Sequence, residues 1–413
     1  MPEDLEAAAA RLYAEFFRRT HLCEPSDLAD IVVEEVESAL AASDVVLFVV
    51  NREETALVPV PSRLSPQRSE QLLEATMAGR CFSSTTILTA PARGPQRRRM
   101  WVPVIDGTDR TGVLELCVDE PGTAEDTRTL LLVLERYAHA VAQALLSKDQ
   151  YGDVFELLRR SRPMTLGTEL LGAMLPPATF ATDGLVITAM LEPAYANGGD
   201  AFDYAVNAGC AHMAVLDGMG HGLEAAGAST LALAAIRHSR RLGRGLVETA
   251  AAVDAAVNVQ FDGSRFVTAV LARLDMVTGR LHWVSAGHPP PLLVRHGRVA
   301  KTLELEPTTP LGLRLGTDEV AVGSEDLEPG DSLLFYTDGV TEARQADGEM
   351  FGLEGLGAFL HREASAQVST HETLRRLRRA IMSHHHEALD DDATAMLVDW
   401  RRGTEHTLLP QTV

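Results

Sequence analysis

The sequence predicts a mixed α+β protein with two domains, and three observations support this prediction. The chain has 413 residues, which is too long for one ordinary domain. Apolar residues recur at helix spacing through much of residues 4–175, with a few short strand-like runs between them. From residue 184 onward, short β-branched runs dominate and alternate with pairs of helical segments. Strand groups flanked by helix pairs are typical of two packed sheets whose outer faces are covered by helices.

Residues 1–148 are predicted to form one α+β domain of ordinary size. The stretch 93–99 contains four arginines and is predicted to be a loop, either a solvated face or a binding patch. Periodicity predicts helices at 4–20, 28–40, 70–78 and 127–148, and strands at 45–50, 100–105 and 112–118. The last two strands, joined by a turn that starts at Asp106-Gly107, resemble the central strands of a GAF-type sensor domain. The resemblance assigns no ligand-binding residue and leaves the signal open, as a small molecule or a protein.

A helical linker is predicted for residues 149–175, broken at Pro163 and ended by Pro176-Pro177. This segment either pairs with itself in a homodimer and transmits the state of the sensor, or is a linker helix of a monomer.

The second domain is predicted for residues 176–402, followed by a polar tail at 403–413. Its predicted strands are 185–191, 202–207, 211–216, 266–275, 280–285, 292–295, 319–322, 332–337 and 393–400. Its predicted helices are 223–240, 246–260, 353–362 and 372–383.

Composition and charge disfavour several classes of function. The formal net charge is −21, whereas non-specific nucleic-acid or anionic-membrane binding needs a basic face. The chain has only two lysines, Lys148 and Lys301, and neither lies in a glycine-rich loop. A P-loop nucleotide hydrolase or a protein kinase needs a lysine on the nucleotide phosphates. We therefore expect neither class, and no nucleic-acid or membrane partner.

The cysteines and the N-terminus predict a cytoplasmic protein. The start, Met1-Pro2-Glu3-Asp4, lacks the basic and then apolar layout of a signal peptide. No apolar run approaches the ~18 residues needed to span a bilayer. The cysteines form no C-x-x-C pair and no C-x5-R loop of thiol phosphatases, so we expect reduced thiols. They are Cys23, Cys81, Cys117 and Cys210.

Four predicted strand ends in the second domain each place a carboxylate. Any one of them alone is equally well explained as a turn with a solvated side chain. Glycine lets the main chain approach a ligand closely, so an Asp-Gly pair can offer a carboxylate and a carbonyl together. Four in the same local context predict a metal site. The four are Asp200 after Gly198-Gly199, Asp217 before Gly218, Asp338 before Gly339, and Asp391 within Asp390-Asp391-Asp392.

The ligand type indicates which ion the site would take. An all-oxygen set suits Mg²⁺, Mn²⁺ or Ca²⁺ rather than zinc. Several converging carboxylates suggest two ions, which can clamp a phosphate and activate a water between them. Cations at the phosphate oxygens are what hydrolysis of a phosphomonoester requires.

Seven motifs between residues 176 and 402 then identify a family. They are Gly198-Gly199-Asp200-Ala201-Phe202-Asp203, Asp217-Gly218-Met219-Gly220-His221-Gly222, Phe266-Val267-Thr268, Ser285-Ala286-Gly287-His288-Pro289-Pro290-Pro291, Pro310-Leu311-Gly312, Tyr336-Thr337-Asp338-Gly339-Val340-Thr341-Glu342 and Asp391-Asp392-Ala393-Thr394. In type and order they resemble the motifs of SpoIIE/RsbU-like serine phosphatases, which belong to the metal-dependent (2C-type) protein phosphatases.

The resemblance implies an αββα sandwich that binds two Mn²⁺ or Mg²⁺ ions and hydrolyses phosphoserine or phosphothreonine on a protein by metal-activated water. The family's metal and catalytic roles map onto Asp200, Asp217, Asp338 and Asp391, with the Gly218 carbonyl as a further ligand and Asp217 bridging both ions. The implied substrate is a phosphorylated anti-anti-sigma factor of the STAS type, with the sensor domain regulating the phosphatase. The usual aromatic pair after Gly-Gly-Asp is replaced by Ala201-Phe202.

Each of the notable histidines has a structural explanation as well as a functional one. His221 is either a general acid or a solvated turn residue, and His288 is either functional or a turn residue that bonds the backbone. His384-His385-His386 is expected to be an exposed loop rather than a metal tract. The D-x-D-x-T match that begins at Asp390 lacks the buried strand that haloacid-dehalogenase-type phosphatases place before it.

A second hypothesis comes from a different class of function. The chain would then be a sensor-adaptor whose phosphatase-like domain binds partners without turnover. The presence of all the metal-type acids argues against it.

Overall fold

The computed structural model describes residues 4–94, 96–192, 195–196, 198–306, 308–314, 320–343, 351–366, 368–382 and 391–403. The chain divides between Arg162 and Pro163 into two compact units. Each unit has its own hydrophobic core.

The N-terminal unit is built around one six-stranded antiparallel sheet. Its elements are α1 Leu5–Thr20, a 3-10 turn Pro25–Asp27, α2 Leu28–Leu40, β1 Ser43–Val50, β2 Ala56–Pro59, β3 Gln71–Leu72, α3 Met77–Ser84, β4 Leu88–Pro91, β5 Arg97–Asp106, β6 Asp109–Asp119, α4 Ala124–Asp149 and α5 Val154–Arg159. The strand order is β3-β2-β1-β6-β5-β4.

The two faces of this sheet are covered differently. On one face, α1, α2 and α4 bury the main core, in which Phe16 packs edge-on against Tyr137 with ring centroids 5.0 Å apart. On the other face, α3 closes a smaller cluster around Phe48, Phe82 and Trp101. This arrangement confirms the predicted α+β class, whereas the resemblance to a GAF domain stays a prediction.

The predicted helix at 70–78 is wrong. Residues Gln71–Leu72 form β3, which pairs with β2, and the helix begins only at Met77. Thr76 caps that helix, because its hydroxyl accepts a hydrogen bond from the backbone N–H of Gly79 at 3.0 Å. The apolar spacing of the segment was real, but the cap position decided where the helix could start.

The predicted basic loop at 93–99 is also partly wrong, because its last three arginines belong to β5. Arg98 bonds Glu120 at 2.5 Å and Arg99 bonds Glu115 at 2.9 Å. These arginines are matched by carboxylates of the same unit, so they form neither a purely solvated face nor an unpaired cationic patch.

The segment predicted as a linker contains two short helices that lie in different units. Phe155 of α5 is buried in the main core of the N-terminal unit. The next helix, α6 Leu166–Gly172, buries Leu171 in the C-terminal unit. Within the described residues, α4 has the length and composition to cross a membrane, and 56% of its most apolar window is buried inside its unit.

The described residues of the C-terminal unit form two antiparallel sheets and four longer helices. After α6, its elements are β7 Thr179–Thr182, β8 Leu185–Glu192, β9 Ala201–Asn207, β10 Cys210–Gly218, α7 Leu223–Arg241, α8 Leu246–Phe261, β11 Val267–Asp275, β12 Arg280–Ala286, β13 Leu292–Arg295, β14 Arg298–Thr302, β15 Gly323–Asp326, β16 Ser332–Tyr336, α9 Asp338–Glu342, α10 Gly352–Ser365, α11 Thr370–Met382 and β17 Ala393–Trp400. The strand orders are β15-β12-β11-β10-β9 and β14-β13-β16-β17-β8-β7.

The sheets pack face to face and the helices cover their outer faces. Phe202, Val215 and Trp283 of the five-stranded sheet share one core with Phe335 and Met396 of the six-stranded sheet. The outer face of the first sheet packs on α7 and α8, and that of the second sheet packs on α10 and α11. The structure therefore confirms the predicted αββα sandwich.

Three differences concern the edges of these sheets. Residues 320–322 of the strand predicted at 319–322 are not in a strand, and the edge strand is β15, which pairs with β12. The short edge strands β7 and β14 were not predicted. Residue 319, residue 383, the tract 384–386 and Asp390 lie outside the described residues.

Candidate active site

The first pair of predicted site residues lies at the end of the central strand β10. Leu216 stands opposite Ala201 of β9, so Asp200 comes directly before the paired residues at the end where Asp217 leaves the sheet. The N–H of Gly218 extends this pairing, since it donates to the carbonyl of Gly199 at 3.3 Å. Asp200 and Asp217 therefore reach the same end of the five-stranded sheet.

The second pair lies at the end of two neighbouring strands of the other sheet. Tyr336 of β16 stands opposite Ala395 of β17, and Thr337 N–H donates to the carbonyl of Thr394 at 2.9 Å. Asp338 follows the first of these strands, and Asp391 precedes the second.

Electrostatic coupling indicates that these carboxylates share one site. Burial, followed by the charges of Asp338, Asp391 and Asp392, raises the pKa of Asp217 from 3.8 to about 7. Burial and the charge of Asp217 also hold the pKa of Asp200 well above its ordinary value. The largest influences on these two groups are thus burial and other carboxylates, with threonine hydroxyls as the opposing contribution. The site concentrates negative charge.

Asp392, which the sequence grouped with Asp391, has a different role. One of its carboxylate oxygens accepts hydrogen bonds from the backbone N–H groups of Gly198, Gly199 and Asp200 at 2.5, 2.7 and 3.2 Å. Burial nevertheless raises the pKa of Asp392. The side chain ties the loop that presents Asp200 to the start of β17, and so joins the two sheets at the site. In the sequence, Asp392 is only one of three consecutive aspartates, and nothing there indicates that it binds the Gly-Gly-Asp loop.

Hydroxyl groups orient two of the carboxylates. Thr337 donates to Asp200 Oδ2 at 2.7 Å, and Thr337 Oγ1 also accepts from the Thr394 N–H at 2.9 Å. A hydrogen bond from Thr268, which stands opposite Asp217 in β11, opposes the rise in the pKa of Asp217. Thr268 lay in a recognised motif, but sequence spacing did not assign it a partner.

His288 supports Thr268 rather than contacting the aspartates. Its Nδ1 lies 2.9 Å from Thr268 Oγ1, and burial lowers the pKa of His288 to about 3, so the ring is neutral. His288 also makes a hydrogen bond with the backbone of Tyr336, as expected of a residue that bonds the backbone, whereas its contact with Thr268 was not predicted. His221, in contrast, is exposed at the surface.

Asp203, the second acid of the Gly-Gly-Asp motif, does not join the site. It is 1% exposed, and its oxygens accept from Arg237 at 2.6 Å and Arg240 at 2.8 Å. The pairing joins β9 to α7, because a carboxylate buried this deeply must be paired.

Close approach of the backbone explains two of the site glycines. A Cβ on Gly218 would lie 2.5 Å from Ser229 Oγ, and a Cβ on Gly199 would lie 2.6 Å from the Gly218 carbonyl oxygen. The loop before β9, the end of β10 and helix α7 thus pack here without room for side chains.

The donor chemistry of the site fits a hard divalent cation. Among the described residues, no group of three or more His, Cys, Asp or Glu side chains is arranged to hold a metal ion. Mg²⁺ usually keeps several waters and binds protein through one or two carboxylates, so it does not require such a cage. The oxygen-only set at the site therefore suits Mg²⁺ or Mn²⁺ better than zinc.

Comparison with known proteins shows that most of the C-terminal unit is similar to one family. The sequence model described as Stage II sporulation protein E (SpoIIE) matches residues 207–401. Protein IcfG of Synechocystis sp. is 27% identical over 140 residues, which are 34% of this chain and 21% of that protein. The chain thus matches about a fifth of the length of this relative.

Two solved structures illustrate the likeness. The RsbU and RsbW domains of Rv1364c from Mycobacterium tuberculosis are 29% identical, with 55% of this chain and 62% of that chain covered and a TM-score of 0.44. The PP2C phosphatase domain of SpoIIE from Bacillus subtilis, with a fragment of its regulatory domain, is 13% identical, with 96% and 94% covered and a TM-score of 0.44. Both superpositions are loose, so no site residue is transferred from them.

The family match includes the strands that place three of the four candidate carboxylates. Asp217 ends β10, and Asp338 and Asp391 flank β16 and β17, all within residues 207–401. Asp200 lies just before the matched region and is tied to it through Thr337. Over residues 207–401, the C-terminal unit is therefore similar to the Stage II sporulation protein E (SpoIIE) family.

Proposed function

We propose that the chain hydrolyses phosphoserine or phosphothreonine on a protein with the help of two Mn²⁺ or Mg²⁺ ions. One observation supports this most directly. Burial and three neighbouring carboxylates raise the pKa of Asp217 to about 7. Divalent cations would neutralise this excess of negative charge.

The ligands in this proposal are Asp200, Asp217, Asp338 and Asp391, together with the Gly218 carbonyl. Bound cations would supply charge at the phosphate oxygens and activate the attacking water. The chain itself orients the ligands. The Thr337 hydroxyl donates to Asp200 at 2.7 Å. The carboxylate of Asp392 accepts from the backbone N–H groups of residues 198–200 at 2.5–3.2 Å.

The substrate that we propose is a phosphorylated anti-anti-sigma factor of the STAS type, in a partner-switching system that regulates a sigma factor. The seven motifs of the C-terminal unit support this assignment through the family that they resemble. In the same proposal, the N-terminal unit is a GAF-like sensor that regulates the phosphatase, and the protein works in the cytoplasm. The segment 149–175 either pairs with itself in a homodimer or links the two units of a monomer. Light scattering that gives the mass of a monomer at micromolar concentration would contradict the dimer.

Turnover of p-nitrophenyl phosphate tests the metal mechanism. We expect the rate to depend on added Mn²⁺, to stop with EDTA, and to be lost in Asp217→Asn and Asp338→Asn. Asp262→Asn is the matched control, since Asp262 is an exposed helix cap with φ 49°, a conformation that asparagine tolerates. Full activity of both site variants would contradict the two-ion mechanism.

A second assay separates the enzyme from the sensor-adaptor. The protein is incubated with candidate phosphorylated anti-anti-sigma factors, and release of phosphate and binding are measured in parallel. Dephosphorylation supports the proposed substrate. Tight binding of a phosphorylated anti-anti-sigma factor would favour the adaptor if neither that protein nor p-nitrophenyl phosphate is hydrolysed in the presence of Mn²⁺.

A further inference from the structure

A small cleft in the C-terminal unit lies at the opposite end of β10 from the candidate active site. Its volume is about 30 Å³, and its lining includes the apolar residues Ile236 of α7, Leu246 of α8 and Leu271 of β11. His212, Arg240, Arg244 and Arg273 also line it. Four cationic or titratable nitrogen groups thus surround one apolar hollow.

Such a cluster is unexpected in this chain, which has 58 acidic and 37 basic side chains. Arg240 is paired with Asp203. For Arg244 and Arg273, the part of the chain that the structure describes supplies no carboxylate within ion-pairing distance. The acceptor that Arg273 Nε does have is a weak one, the thiol of Cys210 at 3.1 Å.

Three carboxylates that neighbour residues of the cleft already accept hydrogen bonds from other groups. Asp203 accepts from both Arg237 and Arg240, and Glu248 accepts from the backbone N–H of Gly245 at 2.9 Å. Asp275 accepts from the backbone N–H groups of Val277 and Thr278 at 3.0 and 2.9 Å, although it also feels the charge of Arg273. Their charges are offset by other donors, and the arginine side chains at the mouth of the cleft keep donor capacity for a ligand.

The response of His212 indicates a positive potential in the cleft. Burial lowers the pKa of His212, and the charges of Arg240 and Arg273 lower it further, against the opposite effect of Asp203. The ring is therefore neutral near pH 7. It offers an anion one N–H donor but no positive charge.

We propose that this cleft binds a single oxyanion, phosphate or sulfate, between Arg244 and Arg273. Guanidinium groups present forked donors that match the oxygens of such anions. The cleft is not the site of hydrolysis. Asp217 lies five residues beyond His212 along β10, which at about 3.3 Å per residue is a separation of about 16 Å.

Binding of inorganic phosphate and of sulfate to the full chain tests this inference without relying on activity. The protein is kept in excess EDTA, so that divalent cations at the active site do not recruit phosphate. Thermal unfolding is followed against anion concentration at constant ionic strength, maintained with chloride, because screening alone changes surface electrostatics. The variants are Arg244→Ala with Arg273→Ala, Arg241→Ala and Asp217→Asn. Arg241 is an exposed arginine in the last turn of α7 and does not line the cleft.

We expect saturable stabilisation of the wild type, of Arg241→Ala and of Asp217→Asn, and at least about tenfold weaker binding in the double variant. Equal stabilisation of all four proteins would mean that ions bind non-specifically, and the proposal would be wrong. Loss of the effect in Asp217→Asn alone would place the anion at the active site and equally overturn it. Neither result bears on the proposed phosphatase activity, which the Mn²⁺ assays test separately.

Discussion

The carboxyl group of Asp217 experiences opposing influences in the folded chain. Burial and the charges of Asp338, Asp391 and Asp392 raise its pKa, whereas the Thr268 hydroxyl lowers it. The net result is a group that is only about half ionised near pH 7. Its protonation and its interaction with a cation therefore compete in the range where the protein is expected to work.

This competition predicts how pH affects the stability of the metal-free protein. With a pKa raised from 3.8 to about 7, folded Asp217 keeps a proton that the unfolded chain has lost between about pH 4 and 7. The free energy of unfolding therefore falls as pH rises through this range. We expect Asp217→Asn in EDTA to be more stable than the wild type by about 1–4 kcal/mol at pH 8, and equal to it near pH 4. Denaturant titrations at several pH values measure this difference. A gap that does not change with pH, or one also seen in Asp262→Asn, would contradict the prediction.

The Thr268 hydroxyl predicts a second effect at the same scale. His288 Nδ1, 2.9 Å from Thr268 Oγ1, restricts the orientation of this hydroxyl toward Asp217. We expect Thr268→Val to weaken Mn²⁺ activation or kcat by about tenfold to a hundredfold, as loss of a group that orients a metal ligand usually does. Thr268→Ser keeps the hydroxyl and should retain most of the activity. Metal titrations of p-nitrophenyl phosphate turnover distinguish the two, and equal rates for the valine and serine variants would rule out an orienting role.

The start of α9, which follows β16, lies close to the backbone that precedes β17. A Cβ on Gly339 would lie 1.9 Å from the carbonyl oxygen of Asp392, so the first residues of α9 pack directly against the backbone that precedes β17. The same backbone places Asp391 and aims Asp392 at the loop before β9. Packing between elements therefore requires glycine at position 339.

We therefore expect Gly339→Ala to destabilise the fold by about 1–3 kcal/mol or more and to lower metal-dependent activity, because the clash is with backbone that cannot rotate away. Gly172→Ala is the matched control, since a Cβ there meets nothing within 4 Å. Thermal unfolding and p-nitrophenyl phosphate turnover measure both effects. A stable and fully active Gly339→Ala would show that α9 and the backbone before β17 can separate without cost.

At the scale of the whole molecule, the chain consists of two units with separate cores. The candidate carboxylates, their hydroxyl partners and the three core clusters around the two sheets all belong to the C-terminal unit. The helix α4, which has the length of a membrane span, buries Leu134, Tyr137 and Val141 in the core of the N-terminal unit.

This division predicts that residues 163–413 alone hydrolyse p-nitrophenyl phosphate with Mn²⁺ at a rate comparable to the full chain in its active state, because a unit with its own core can fold alone. If the N-terminal unit is a sensor, its removal should abolish any response to a signal but not basal turnover. Steady-state rates of the two proteins, with circular dichroism to verify folding, test this. An unfolded or inactive fragment would mean that the N-terminal unit is needed for the structure of the site.

The sequence alone determined the fold class, most of the elements and the identity of the four candidate carboxylates. Buried strands and amphipathic helices leave periodic patterns, and Asp-Gly pairs at strand ends leave local ones, so Asp200, Asp217, Asp338 and Asp391 could be recognised one by one. Edge strands such as β7, β14 and β15 are short and weakly patterned, and the start of α3 depends on the Thr76 cap, so these were missed or misplaced.

Only the tertiary structure decided which residues meet. Asp392 holds the loop before Asp200 across 192 to 194 positions of sequence, Thr337 reaches Asp200 across 137, and His288 reaches Thr268 across 20. Asp203 lies three residues after Asp200 in the same motif, but it pairs with Arg237 and Arg240 instead. Such pairings depend on the register between strands and on the packing of one sheet on the other. These are properties of the folded chain that no local pattern of residues encodes.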